Sequence, residues 1–190
     1  MILKDIAVAF DTILSSMTQN FHFVGGILFV LWAVHFINWL LGYRLSLLGI
    51  YPRSAHGLLG IIFSPFLHGN IGHLVFNSIP LFFLANFVLL QGKEKFICIT
   101  IVIMLLSGLA TWLFGRRALH IGASGVIMGY FSNALINAYF QGTVLAIIVG
   151  VLCLYYFASL FLSIFPTEEK ASWEGHLFGF LSGIAAIYVC

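Results

Sequence analysis
Charge is scarce in this sequence. Of its 190 residues only eight are Lys or Arg and six are Asp or Glu, 7% in all, against 62% that are hydrophobic. Soluble domains carry about 25% charged residues. A water-facing surface cannot be built from so few, which excludes a soluble globular domain. The charges are also clustered, since residues 12–43, 54–92, 96–115, 118–167 and 175–190 contain none. A dispersed net charge of +2 excludes nucleic acid as a partner. The only aspartates are Asp5 and Asp11, which excludes a paired-aspartate intramembrane site, and no HExxH helix is present to hold zinc. Period-two alternation, the mark of outer-membrane strands, is missing. The three cysteines, Cys98, Cys153 and Cys190, have no CxxC spacing, lie in apolar runs and read as small hydrophobes.

What the sequence does have is long apolar runs. A hydrocarbon core about 30 Å thick takes roughly 20 residues of helix. On that ruler the chain holds six spans, at 22–42, 71–90, 96–114, 124–141, 143–165 and 175–190. Gln91-Gly92-Lys93-Glu94-Lys95 forms a charged turn between the second and third. Arg116-Arg117, followed by Gly122, separates the third from the fourth, and Pro166 ends the fifth. Residues 1–20 place Ile2, Leu3, Ile6, Phe10, Ile13, Leu14 and Met17 at helical spacing, and are expected to form an interfacial helix or a flexible segment. Residues 43–67 mix Arg44, Pro52, Arg53, His56 and Pro65 with Leu, Ile and Phe. They are expected to lie at the membrane interface as a large loop between the first two spans. The expected fold is an all-α membrane protein: one domain over residues 1–190, a six-helix transmembrane bundle in the lipid bilayer. Span four carries Asn133, Asn137 and Gln141, too polar for lipid on all sides, and is expected at the bundle centre.

Ionisable groups at membrane depth are functional suspects, and inside these runs only histidines qualify. His68, His73 with Asn77, and His176 are the candidates, with Ser124 as a nucleophile. Any one of them alone could be a helix-to-helix hydrogen bond. Together they suit a Ser–His dyad, in which a neutral imidazole takes the hydroxyl proton. A carboxylate third member is hard to build, because Glu174 is two residues from His176 and on another helix face. Ser124 begins a helix after a small-residue loop, so its N–H is unpaired and the helix dipole favours a developing anion. His73 and Asn77, four residues apart, share a helix face and can both donate to an oxyanion. Gly125 and Gly129 follow Ser124, and Gly179 and Gly183 follow His176, spacings that let two helices approach closely.

These residues resemble the rhomboid family of intramembrane serine proteases, and most closely its six-helix bacterial form, the GlpG type. The motifs that carry the resemblance are His68-Gly-Asn-Ile-Gly-His73-Leu-Val-Phe-Asn77, Gly122-Ala-Ser124-Gly125, and Gly175-His176-Leu-Phe-Gly179 with Gly183, in the family's order on the second, fourth and sixth spans. The resemblance implies Ser124 as nucleophile and His176 as general base. His73, Asn77 and the Ser124 N–H would form the oxyanion site, while His68, Gly122, Gly125, Gly179 and Gly183 would be structural residues near it. It also implies cleavage of transmembrane protein substrates near the membrane surface with no metal or organic cofactor, in a bacterial inner membrane. Residues 43–67 match the family's interfacial first loop and 166–173 its mobile cap. The rival reading is a non-catalytic relative or a small histidine-containing transporter. The sequence departs from the family pattern at Leu59-Gly60, where many members have Trp-Arg, and at Met128, where many have Tyr.

Overall fold
A computed structural model describes residues 2–165 and 172–190. Among these the chain is helical, with no strand and one isolated antiparallel bridge between Ile50 and His120. The elements are α1 (Ile2–Leu40), a single turn α2 (Gly60–Phe63), α3 (Ile71–Leu89), α4 (Lys93–Phe114), α5 (Ser124–Gln141), α6 (Val144–Leu162) and α7 (Trp173–Val189). From α3 onward the long helices fall on the expected spans to within a few residues, whereas α1 begins 20 residues before the span expected at 22–42. By length and composition α1, α3 and α4 can each cross a membrane among the described residues. α5 and α7 are shorter and more polar, whereas α6 is strongly apolar and presents Ile147, Val151 and Leu154 at its surface. In α5 every residue from Val126 to Ala134 is buried, so the polar span sits at the centre.

Two expectations are corrected. Residues 1–20 were expected as a separate interfacial or flexible segment, yet from Ile2 onward they are the first half of α1. No proline or charged turn interrupts the run, and Ala9 and Ile13 are buried. At 1.5 Å per residue the helix is about 58 Å long, nearly twice a bilayer core. Lys93 at the start of α4 sits 4.6 Å over the Phe23 ring, about halfway along α1. The second correction concerns the cysteines. Cys98 and Cys190 form a disulfide that links the first turns of α4 to the end of α7, while Cys153 is free and buried. Ninety-two residues separate the pair, a spacing that carries no sequence signal.

The 43–67 stretch is a chain of short helical turns, at Arg44–Leu48, His56–Leu58, α2 and Ser64–Phe66. It is anchored by hydrogen bonds. Asn38 at the end of α1 accepts from the Leu45 N–H at 2.9 Å and donates to Ser46 Oγ at 3.0 Å. Arg53 donates to the carbonyls of Leu113 and Gly115 at 3.0 and 2.9 Å, and Trp112 Nε1 donates to the Ser54 carbonyl at 2.9 Å. The Gly122 N–H donates to the Ser64 carbonyl at 2.9 Å. These bonds pin the stretch to the end of α1, to the end of α4 and to the segment that leads into α5.

The closest helix contact joins α5 to α7. A Cβ on Gly179 would fall against the Gly125 carbonyl oxygen, and one on Gly183 against that of Gly129. Replacing Gly179 by Val must push two backbones apart, at a cost of about 1–3 kcal/mol or more for overpacking. Gly26 on α1 has nothing within 4 Å of such a Cβ, so Gly26→Ala should be neutral or gain up to about 1 kcal/mol from helix propensity. Thermal unfolding of both variants in one detergent tests this; equal melting temperatures would refute the contact.

Candidate functional site
The N-termini of α3, α5 and α7 meet at one end of the bundle, and the residues singled out from the sequence lie there. Ser124 is the first residue of α5, and the Ala123 before it offers no side-chain cap. The first-turn N–H groups of α5 are therefore open to an anion. Gly122 makes the turn with φ of 121°, and a Cβ there would lie 2.7 Å from His73 Nε2 and 3.8 Å from Ser124 Oγ. Both a left-handed backbone and this crowding demand glycine. They also show that the His73 ring nitrogen and the Ser124 hydroxyl flank one small space.

His73 and Asn77 are positioned by α3. Asn70 caps that helix, its side chain accepting from the His73 N–H at 2.8 Å. Asn77 Nδ2 donates to the His73 carbonyl at 2.8 Å, which uses one of its two amide hydrogens and leaves the other. His68 packs edge-on against His73, with ring centroids 5.0 Å apart. It is completely buried, and its ring nitrogens make no well-formed hydrogen bond, only a weak approach to the Phe66 backbone that slightly opposes the effect of burial on its pKa.

His176 lies half-buried in the first turn of α7, with its Nδ1 3.0 Å from the Ser163 carbonyl just past α6. A carbonyl only accepts, so Nδ1 carries the hydrogen and Nε2 is left as the basic nitrogen. Ser163 is the orienting group that the sequence did not reveal; a backbone oxygen has no residue signature. Ser124 and His176 share no hydrogen bond in this structure. They are carried by helix turns in contact, since a Cβ on Gly125 would lie 3.3 Å from the Gly175 carbonyl. Catalytic hydrogen bonds are often long before substrate binds.

Behind Ser124 is a cavity of about 40 Å³ lined by Ser64, Ser107, Thr111, His120, Ser172 and Gly175 among others. A water needs roughly 10–15 Å³ by this measure, so the space admits one. His120 closes it: Nε2 donates to the Arg116 carbonyl at 3.0 Å, so Nδ1 accepts from Ser172 Oγ. Beside it the Glu174 carboxylate faces Arg116. Among the described residues no three His, Cys, Asp or Glu side chains gather as a metal site. Of the expected cap at 166–173, residues 166–171 lie outside the described residues.

His68 lies in the loop before α3. Burial lowers its pKa to about 3 from the ordinary 6.5, and the neighbouring His73 and His35 add to the effect. The folded value is below the unfolded one, so this contribution to stability is complete above about pH 6.5 and is lost as pH falls from there towards 3. The slope is at most ~1.4 kcal/mol per pH unit. Melting temperature measured from pH 7 to pH 4.5 should therefore fall less steeply for His68→Leu than for the wild type. Parallel curves would mean that His68 charges freely in the fold.

Comparison with known proteins adds the following. Residues 55–190 match the family model for the rhomboid domain. An uncharacterised protein of Mycobacterium tuberculosis, and one of Mycobacterium bovis, are each 37% identical to this chain over 169 residues, 84% of this chain and 70% of the relative. An uncharacterised protein of Mycobacterium leprae is 35% identical over 169 residues, 84% of this chain and 67% of its own length.

Proposed function
Since this chain belongs to the rhomboid family, we propose that it is an intramembrane serine endopeptidase of the six-span bacterial form, cleaving membrane-anchored proteins near the membrane surface. The observation that carries the reading is the meeting of three groups at one end of the bundle. Ser124 opens an uncapped helix, His73 Nε2 faces it across Gly122, and His176 has its Nδ1 committed to a carbonyl. That commitment leaves Nε2 as the proton acceptor a serine nucleophile needs.

In the proposed reaction Ser124 Oγ attacks the scissile carbonyl carbon and its proton passes to His176 Nε2. The oxyanion takes hydrogen bonds from the Ser124 N–H, His73 and the free Asn77 amide hydrogen, with the positive end of the α5 dipole behind them. Collapse expels the amine, which leaves with the proton from His176. Water then attacks the acyl-enzyme, His176 again taking the proton. The cavity behind Ser124 is a nearby store for that water. Polar groups at depth are tolerated where they line such space. The substrate must present an extended strand, which favours cleavage where its helix is weakened by Gly or Pro. A bacterial inner membrane, with the lipid bilayer and transmembrane substrates as partners, completes the reading.

Ser124→Ala and His176→Ala should each abolish cleavage of a transmembrane substrate while the protein stays folded and inserted; losses of this kind reach about 10⁶-fold. Labelling of the wild type by a fluorophosphonate, absent in Ser124→Ala, is the companion measurement. Near-normal turnover in either variant would rule out the dyad.

The oxyanion donors make a milder prediction. Asn77→Ala should lower turnover by roughly 10²-fold at unchanged melting temperature, as for one lost donor, with His73 and the backbone N–H still donating. A fall in stability with normal specific activity of the folded remainder would reduce Asn77 to a helix-packing residue.

A further inference from the structure
We propose that Glu174 is a positioning residue for the dyad. Its buried carboxylate ties the segment before Ser124 to the turn that carries His176, and its charge supports the imidazolium form of His176. The inference rests on the protease reading above.

Among the described residues the carboxylates are Asp5, Asp11, Glu94 and Glu174, and only Glu174 is buried, at 3% exposure. Its Oε1 accepts from the Arg116 backbone N–H at 3.2 Å and lies 3.4 Å from Arg116 Nε. Its Oε2 is buried and accepts no hydrogen bond. The pair is lopsided, because the Arg116 side chain is 38% exposed and its charge is screened by solvent, whereas the carboxylate is enclosed. A half-satisfied buried carboxylate is costly. A glutamine could take the same backbone N–H bond without that cost and would give up only the solvent-screened pair with Arg116, so the enclosed charge has room for a further use.

Two features say what the use is. First, Arg116 and His120 precede Ser124 on one loop, while Ser172 and Glu174 precede His176. The Arg116–Glu174 and His120–Ser172 contacts are thus paired tethers between the approaches to the two groups. Second, Glu174 lies two residues from His176 but is not a third triad member, since His176 Nδ1 is held by the Ser163 carbonyl. What remains is a through-space effect. When Ser124 gives up its proton, His176 becomes a cation in the same helix turn as an enclosed anion, and Coulomb attraction lowers the energy of that state alone.

Charge and reach can be separated by two substitutions in the full-length protein. Glu174→Gln keeps the reach to the Arg116 N–H and loses the charge; Glu174→Asp keeps the charge and shortens the reach. For cleavage of a transmembrane substrate, with turnover normalised to folded protein, Gln should lower kcat about tenfold with KM and melting temperature close to wild type. Asp should retain more of kcat than Gln. A tether without an electrostatic part gives the opposite order, Gln above Asp, with activity following melting temperature. That order, or wild-type kcat in Glu174→Gln, overturns the inference and leaves the protease reading standing. A wild type that neither cleaves nor reacts with a fluorophosphonate overturns both.

Discussion

The arrangement rests on the backbone contact between α5 and α7. Lipid tails are as apolar as Leu, so helices in a bilayer associate by close packing and hydrogen bonding rather than by expelling water. Gly125 with Gly179, and Gly129 with Gly183, remove the side chains that would hold these helices apart. Ser132 then donates to the Phe180 carbonyl at 2.7 Å and Asn133 to the Gly183 carbonyl at 3.3 Å across the same seam. The height of Ser124 relative to His176 follows from this register, one residue before the first glycine of one pair and three before its partner. Both ends of α7 are fastened as well. Its start is joined to the loop before α5 through Ser172 and Glu174, and its end to α4 through Cys98–Cys190.

Alternation of up and down helices brings the N-termini of α3, α5 and α7 to one end, where their dipoles add a positive potential. A chain with so few charges thereby gains a positive potential at this end without placing a cation in the bundle. Burial keeps His68 neutral, while His120 holds two hydrogen bonds and Glu174 pairs with Arg116. The anchored 43–67 stretch supplies the wall around this end, because Ser64 holds Gly122 and Arg53 holds the end of α4.

Much of this was legible in the sequence where residue type alone determines the outcome. Charge-free runs located the helices, and the Asn and Gln on α5 marked the one that had to be sheltered. The glycines after Ser124 and His176 announced a close seam. Features that depend on distance in sequence were not legible. Cys98 and Cys190 carry no spacing rule, and Ser163 orients His176 through a main-chain oxygen that any residue has. Glu174 looked remote from His176 by helix periodicity. Its hydrogen-bond partner is the backbone of Arg116, reached only once α7 packs beside the loop before α5. The continuity of α1 was hidden by the polar run Ser15–Asn20, which the helix absorbs through bonds such as Asn20 Nδ2 to Ser16 Oγ at 3.1 Å.

Unsatisfied polar groups are more frequent at the end that holds the candidate site than along the rest of α5. Deep on α5 the polar side chains are fully used: Ser132 and Asn133 bond α7, Asn133 also accepts from Gln91 at 2.8 Å, and Tyr130 meets Thr100 at 2.6 Å. At the opposite extreme, the end holding Ser124 keeps an uncapped helix, a spare Asn77 hydrogen, a buried imidazole without a well-formed bond and a half-bonded carboxylate. Each of these costs stability, because a buried polar group left unpaired loses its hydration without recompense. Had the chain been selected for packing alone, the solution used at Ser132 and Asn133 was available at this end too. Buried unpaired atoms of His68 and Glu174 lie at this end, whereas that of Asn86 lies towards the other end of α3. The clustering supports the proposed site, since local rules are broken together at functional sites.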